Sequence, residues 1–134
     1  MVFLLFTWDT SQQNSYKMKK AKERVLKIYG SSTDKIGQKL LYEYIVEIAK
    51  DKGISGVTVY RGIMGYGLSS SISSSKFWEL TEKLPVVIEL IDSAKNIKAF
   101  YKNIEQDLQE MSKGCLVTME EVSVKLRKKG EIRK

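Results

Sequence analysis

One stretch decides how the chain folds: Gly56-Val57-Thr58-Val59-Tyr60-Arg61-Gly62-Ile63-Met64-Gly65-Tyr66-Gly67. Apolar β-branched side chains recur in it at even spacing, as in a strand that buries one face: Val57, Val59 and Ile63. Thr58 and Tyr60 would lie on the opposite face. Arg61 stands where the alternation requires an apolar residue, so we expect the strand to become accessible there.

Glycines crowd the end of this predicted strand, at positions 62, 65 and 67. Glycines this dense weaken a strand, and they suit a backbone that turns or that another group approaches closely. Two interpretations therefore stay open at this point. One is an ordinary glycine turn, and the other is a site where a ligand approaches the backbone.

The composition is that of a single globular domain, with 134 residues, of which 43% are hydrophobic and 29% are charged. Cys115 is the one cysteine, so no internal disulfide forms and a cytoplasmic location is expected. The chain contains no histidine. This excludes Ser-His and Cys-His nucleophile pairs and the usual zinc sites.

The net charge of +7 comes from two basic segments. Residues 17–27 and 125–134 each carry +5, which leaves −3 for the rest of the chain. A nucleic-acid-binding protein is expected to carry a continuous basic face instead, so no specific nucleic acid partner is predicted. Residues 129–134 are interpreted as a solvated basic tail.

The N-terminal segment 1–17 is interpreted as an extension of the domain or as the product of an upstream start. Its apolar run, residues 2–8, is too short to span a bilayer. It also lacks the preceding basic residues and the cleavage site of a secretory signal. Met18 directly precedes the first basic run, so the domain is predicted to cover residues 18–128.

The first half of the domain predicts a strand over residues 23–29, a break over 30–34 and a helix. The helix is indicated by an apolar stripe: Leu40, Leu41, Tyr44, Ile45, Ile48 and Ala49. Gly53 is a suitable stop for it. After the central strand, residues 68–76 contain six serines and predict a mobile surface loop, whose far end Phe77, Trp78 and Leu80 would anchor.

The second half predicts a third strand over 85–91, and its nearly continuous apolar run suggests burial on both faces. Ser93 is the predicted N-cap of a second helix. The core stripe of that helix is Ile97, Phe100, Ile104, Leu108 and Met111. Gly114 would end the helix, residues 115–119 form the fourth strand, and 120–127 are a loose extension.

The predicted order is strand, helix, strand, strand, helix, strand. With right-handed crossovers this is an α+β fold, the ferredoxin-like βαββαβ sandwich, in which a four-stranded antiparallel sheet carries both helices on one face. The other face is left bare. We expect self-association to cover it, because Thr58, Tyr60 and apolar residues of the last two strands would lie there.

Residues 23–127 resemble the P-II-like proteins of the family called domain of unknown function 190. The central stretch carries most of the resemblance, and two further blocks agree in order: Leu84-Pro85-Val86-Val87-Ile88-Glu89 and Gly114-Cys115-Leu116-Val117-Thr118-Met119-Glu120. The first loop departs from the family pattern. Many relatives carry an acidic residue where this chain has Ser31, which puts a role for this loop in doubt.

The resemblance implies a subunit of a P-II-like homotrimer with an adenine nucleotide in each cleft between subunits. Segment 68–76 would take the place of the flexible loop through which such proteins bind a partner protein. Relatives are often encoded beside fluoride-export channels, so the resemblance also implies a membrane transporter or channel as the partner.

The resemblance further implies which residues bind the nucleotide. Gly56 and Thr58 would lie near the base, and the last two glycines of the central stretch near the phosphates. Glycine N–H groups can hold phosphate oxygens, and basic side chains can neutralise their charge. The predicted site is Gly56, Thr58, Arg61, Gly65, Tyr66, Gly67, Gly114, Cys115, Lys125 and Arg127.

Two expectations about the ligand follow. The phosphate-contacting turn is shorter and poorer in glycine than in true P-II proteins, so AMP or ADP is expected in preference to a triphosphate. No metal site and no catalytic residue are predicted.

The alternative function is an enzyme acting on a nucleotide or a phosphorylated metabolite. Glu89, Glu120 and Glu121 supply carboxylates, but their spacing is not specific to metal-assisted hydrolysis. Nucleic-acid binding through the basic ends would be weak and sensitive to salt. We therefore expect a regulatory protein rather than an enzyme.

Overall fold

The computed structural model of the chain describes residues 22–68, 73–74 and 83–132, with residues 73–74 described by their backbone alone. The predicted N-terminal extension 1–17 lies outside these residues. So do Phe77, Trp78 and Leu80, the predicted anchor of the serine-rich loop, and most of that loop itself. The predicted domain bounds stay predictions.

The described residues form eight strands and two helices. In chain order they are β1 (Glu23–Ser31), β2 (Lys35–Ile36), β3 (Lys39–Leu40), α1 (Leu41–Asp51), β4 (Gly56–Arg61), β5 (Met64–Gly65), β6 (Ser73–Ser74), β7 (Pro85–Ser93), α2 (Ala94–Glu110) and β8 (Leu116–Val122).

The central sheet has four strands in the order β4-β7-β1-β8, and every neighbouring pair is antiparallel. Both helices pack on one face of it and share its core. The predicted ferredoxin-like βαββαβ sandwich is therefore confirmed. The structure describes one chain, so the trimer stays a prediction.

Alternation along the two central strands builds the core. Leu26 and Ile28 of β1 lie opposite Leu90 and Ile88 of β7, and all four are fully buried. The predicted helical stripes complete the core: Leu41, Ile45, Ala49, Ile97, Phe100, Ile104 and Leu108. Each large side chain among them contributes about 1.5–3 kcal/mol when it leaves water.

Strand β7 is buried on one face only. Its residues alternate between buried and half-buried, so the predicted burial on both faces is wrong for the single chain. A second copy of the chain on the bare face of the sheet would be needed to bury the half-buried residues of β7.

Most predicted helix ends are confirmed. The Ser93 side chain accepts a hydrogen bond from the backbone N–H of Asn96 at 3.2 Å, as expected of an N-cap. Gly53 has a φ of +76° just after α1, a conformation that favours glycine. The prediction for Gly114 is wrong, because α2 ends at Glu110 and Met111 already has extended backbone angles.

Two polar side chains tie the layers together. The Asp92 carboxylate, at the end of β7, accepts hydrogen bonds from the backbone N–H groups of Ser55 and Ser93. Tyr44 of α1 donates a hydrogen bond to Asp107 of α2. These contacts fix the turn before β4 and the spacing between the helices.

Other boundaries differ from the sequence prediction. Strand β1 continues through Gly30 and Ser31, where a break was expected, and β8 runs from Leu116 to Val122 rather than over 115–119. The β2–β3 hairpin was not predicted. Ser73–Ser74 pairs with Met64–Gly65, so the serine-rich segment is not loop throughout.

Candidate functional site

The sheet has two ends, and the candidate site residues are divided between them. We call one the loop end: β1 and β4 finish there, β7 and β8 begin there, and the connecting segments are 32–40, 62–84 and 111–115. We call the other the tail end: it holds the start of β1 and the segment 123–132 that follows β8.

Six of the ten predicted site residues lie at the loop end: Arg61, Gly65, Tyr66, Gly67, Gly114 and Cys115. Three lie at the tail end: Gly56, Lys125 and Arg127. Thr58 lies between them, on the open face of the sheet opposite Glu89.

The two groups are far apart within one chain. Strand β1 runs from Glu23 at the tail end to Ser31 at the loop end. At about 3.3 Å per residue this is about 26 Å, which is longer than a mononucleotide. A single chain therefore does not bring the ten predicted residues into one site.

At the loop end, two glycines of the central stretch serve close packing of the chain on itself. The Gly62 N–H donates to the Pro85 carbonyl at 2.7 Å, and a Cβ built on Gly62 would lie 2.9 Å from Cγ of Pro85. A Cβ on Gly65 would lie 3.4 Å from the same atom. Gly62 is therefore explained by close packing in a turn, without a ligand. Packing does not explain Gly56 in the same way, because a Cβ built on it meets no atom within 4 Å.

The segment after β1 is also part of the loop end, which the sequence prediction missed. Ser32 and Leu84 exchange two hydrogen bonds, and the buried Asp34 carboxylate accepts from the Ser31 N–H at 2.8 Å. Ser-Ser-Thr-Asp is a sequence of turn-forming residues whose short side chains bond nearby backbone, and this signal could have indicated the arrangement.

The turn 111–115 borders a cleft of about 540 Å³. The cleft lies between α2 and β8, and Tyr101, Glu105, Lys113 and Cys115 are among its lining residues. Partial burial of the Cys115 thiol raises its pKa, and the negative charge of Asp34 raises it further. The thiol is therefore held in its neutral form.

The arm that leaves β4 is apolar and exposed. Ile63, expected to be buried, is 82% exposed, and Met64, Tyr66 and Leu68 are exposed as well. Because residues 62–68 contain no charged side chain, this arm presents neutral apolar surface to solvent.

At the tail end, Arg127 already has a partner. Its guanidinium forms two hydrogen bonds of 3.1 Å to the two carboxylate oxygens of Glu23. An anion that uses Arg127 must share or displace this carboxylate. Lys125 is exposed nearby.

The open face of the sheet carries a polar network surrounded by aromatic and apolar side chains. Lys27 lies 3.5 Å from Glu120 and 4.0 Å from Glu89, and the Tyr60 hydroxyl donates to Glu89 at 3.2 Å. Tyr29 and Leu116 lie in the next row and are exposed. Two of the carboxylates considered for catalysis are thus engaged in ion pairs.

The third such carboxylate, Glu121, lies within 4 Å of Lys22 and Arg24. Among residues 22–68 and 83–132, no group of three or more His, Cys, Asp or Glu side chains could hold a metal ion. Neither of the two described helices has the length and hydropathy of a membrane-spanning segment.

Solved structures share this fold at low sequence identity. A PII-like signalling protein from Thermus thermophilus matches with a TM-score of 0.53 at 15% identity, covering 76% of this chain and 88% of that one. CPII, a nitrogen regulatory PII-like protein from Thiomonas intermedia K12 bound to ADP, AMP and bicarbonate, matches at 0.51 and 14%, covering 75% and 88%. The chain therefore has a PII-like fold.

Relatives by sequence are closer. A UPF0166 protein from Aquifex aeolicus is 36% identical over 107 residues, which are 80% of this chain and 97% of the relative. A UPF0166 protein from Methanocaldococcus jannaschii is 43% identical over 76 residues, 57% of this chain and 69% of the relative. The family model described as "Uncharacterized ACR" matches residues 23–124. The chain belongs to the family called domain of unknown function 190.

Proposed function

We propose that this protein is a P-II-like regulator that works as a homotrimer in the cytoplasm. It binds AMP or ADP in the clefts between its subunits, and the nucleotide orders the segment 68–76 for a partner protein. The PII-like fold supports this proposal, and CPII of the same fold binds ADP and AMP. The family alone does not name a ligand.

The division of the candidate residues between the two ends of the sheet carries the proposal. Arg61 and Gly114 lie at the loop end, and Arg127 lies at the tail end about 26 Å away along β1. Only a neighbouring copy could place a tail end beside a loop end. A site built from both groups is therefore a site between subunits.

The open face of the sheet supports assembly. Tyr29, Tyr60 and Leu116 expose large apolar area there, on a face that no helix covers in the described residues. A second copy would remove this area from water. The second copy would also enclose the ion pairs of Lys27. Because buried charges must keep their ion-pair and hydrogen-bond partners, these pairs would favour one arrangement of the copies.

The charge at the loop end supports a ligand with few phosphates. Helix α2 ends at Glu110, just before the turn 111–115, so the turn lies at the negative end of the helix dipole. Lys113 is the one basic side chain in the turn, and Arg61 lies at the end of β4. A turn with one basic side chain at the negative end of a helix suits one or two phosphates better than three.

The exposed arm supports a protein partner. Ile63, Met64, Tyr66 and Leu68 lead directly into segment 68–76, and neutral apolar surface is the kind that a partner groove covers. A transporter or channel as that partner rests on the family resemblance.

A thermal melt with AMP, ADP, ATP and cyclic AMP, combined with the mass of the oligomer, tests the proposal. A ligand that binds the native state raises the melting temperature, and at a hundredfold excess over its dissociation constant it adds about 2.7 kcal/mol of stability. We expect AMP or ADP to stabilise a trimer and Arg61→Ala to abolish the effect. A monomer, or a melt that no nucleotide shifts, would refute the proposal.

A further inference from the structure

Ser32 holds the chain at the point where the segment 62–84 rejoins the sheet. Its N–H donates to the Leu84 carbonyl at 2.8 Å, and the Leu84 N–H donates to the Ser32 hydroxyl at 3.1 Å. Ser32 is only 8% exposed. The nitrogen of the Lys83–Leu84 peptide bond is therefore held by a hydroxyl that water hardly reaches.

Asp34 fixes the turn that carries Ser32. The residue is 4% exposed, and its carboxylate accepts from the Ser31 N–H at 2.8 Å. Its backbone carbonyl accepts from the Leu41 N–H at 2.8 Å, and its own N–H donates to the Ser31 carbonyl at 3.1 Å. The turn is thus attached to the end of β1 and to the start of α1.

The same turn lies beside the turn before β8. Tyr29 of β1 pairs with Leu116, the first residue of β8, and β1 continues for two residues beyond that pair. Extending this register by one residue places Gly30 beside Cys115, and Asp34 Oδ2 lies 3.0 Å from a Cβ built on Gly30, so the Asp34 turn lies near Cys115. The effect of the Asp34 charge on the pKa of the Cys115 thiol agrees with this placement.

We propose that Ser32 and Asp34 are positioning residues that couple the turn 111–115 to Leu84, so that a change at the turn alters how firmly Leu84 is held at the start of β7. Hydrogen bonds join Leu84 to Ser32 and Ser31 to Asp34, and the register of β1 and β8 brings the Asp34 turn near Cys115. The coupling rests on the proposed function in one respect, because the nucleotide is the ligand that would act on the turn. The loop that departs from the family pattern at Ser31 thereby gains a role.

Trypsin cleavage after Lys83, followed by mass spectrometry of the full chain, measures the hold on Leu84. Lys83 is exposed, and cleavage requires the bonds between Leu84 and Ser32 to open. Ser32→Ala should speed this cleavage about fivefold, as expected for the loss of one hydrogen bond. Ser31→Ala is the matched control, because the Ser31 hydroxyl bonds Thr33 and not Leu84.

The coupling is tested by perturbing Cys115 without any ligand. A bulky maleimide attached to this single cysteine should displace the Asp34 turn and speed cleavage after Lys83 severalfold in the native sequence and in Ser31→Ala. In Ser32→Ala the adduct should have a smaller effect, because the bond from the Leu84 N–H to the Ser32 hydroxyl is already lost and only the backbone bond to the Leu84 carbonyl remains. An adduct that leaves the native cleavage rate unchanged would overturn the coupling, as would an equal effect in all three proteins.

A second arm adds the nucleotides to unmodified protein. If AMP or ADP slows both maleimide labelling of Cys115 and cleavage after Lys83, and Ser32→Ala weakens only the second effect, coupling and ligand are both supported. If no nucleotide slows labelling while the adduct still changes cleavage, the proposed function fails and the coupling stands. If a nucleotide slows labelling but slows cleavage by the same factor in Ser32→Ala as in the native sequence, the coupling fails alone.

Discussion

Replacing Gly62 by alanine tests whether this glycine serves packing within the chain. Gly62 does not have a positive φ, so the cost of a side chain there is steric and not conformational. The new Cβ would lie 2.9 Å from Cγ of Pro85, whereas non-bonded carbon atoms prefer about 3.5–4.0 Å. The overlap is therefore about 0.6–1.1 Å.

Neither partner can easily move away. The Gly62 N–H is bonded to the Pro85 carbonyl at 2.7 Å, and Pro85 pairs with Ser31 in the central sheet. Overpacking of this kind costs about 1–3 kcal/mol. Removing a glycine from the unfolded chain returns about 0.4–1 kcal/mol. The net loss is centred on about 1 kcal/mol, which corresponds to a melting temperature lower by about 4–8 °C.

The assay is a thermal melt at fixed protein concentration, with Gly56→Ala as the matched control from the same stretch. A Cβ on Gly56 meets nothing within 4 Å, so this variant should keep or slightly raise the melting temperature. Equal melting temperatures for Gly62→Ala and Gly56→Ala would refute the packing explanation. If Gly56→Ala is stable but loses nucleotide binding, the glycine faces a ligand.

Three further outcomes follow from titratable groups. Burial acts to raise the pKa of Asp92, but the hydrogen bonds to its carboxylate outweigh this effect and lower the pKa below 3.8. In urea titrations Asp92→Asn should therefore be less stable than the native protein at neutral pH. This difference in stability should shrink as the pH falls below 3.8. The bond to Asp107, together with burial, raises the pKa of Tyr44 to about 12, so the advantage of the native protein over Tyr44→Phe should be present below pH 10 and lost as the pH rises towards 12. Asp34→Asn should lower the pKa of Cys115 and speed its reaction with iodoacetamide at pH 8, and an unchanged rate would contradict the placement of the two side chains.

The fold was predictable because its signals are local and periodic. The apolar stripes of the two helices and the alternation along β1 and β4 are spaced as the packing requires, and Ser93 and Gly53 mark helix ends. The predicted element boundaries failed where the same residue type occurs both inside an element and beyond its end. Gly114 resembles a helix stop but lies four residues after the last helical residue, and Ile63 follows the alternation but lies beyond the end of β4.

The site was predictable only in part, because its geometry depends on contacts between distant segments. The resemblance identified residues at both ends of the sheet, but only the strand register shows that Arg61 and Arg127 lie at opposite ends. The two bonds between Ser32 and Leu84 join residues 52 positions apart, and no periodicity in the sequence encodes such a pair.

Nucleotide binding by mixed trimers tests the site between subunits most directly. Arg61→Ala removes a cation from the loop end, and Arg127→Ala removes one from the tail end, so each variant alone should lose binding of AMP or ADP. When the two are co-expressed under different tags and isolated as mixed trimers, about a third of the clefts combine an intact loop end with an intact tail end. Recovery of about that fraction of the native binding capacity, measured by equilibrium titration, is the expected result. Mixed trimers that bind no more nucleotide than either variant alone would contradict a site shared between subunits.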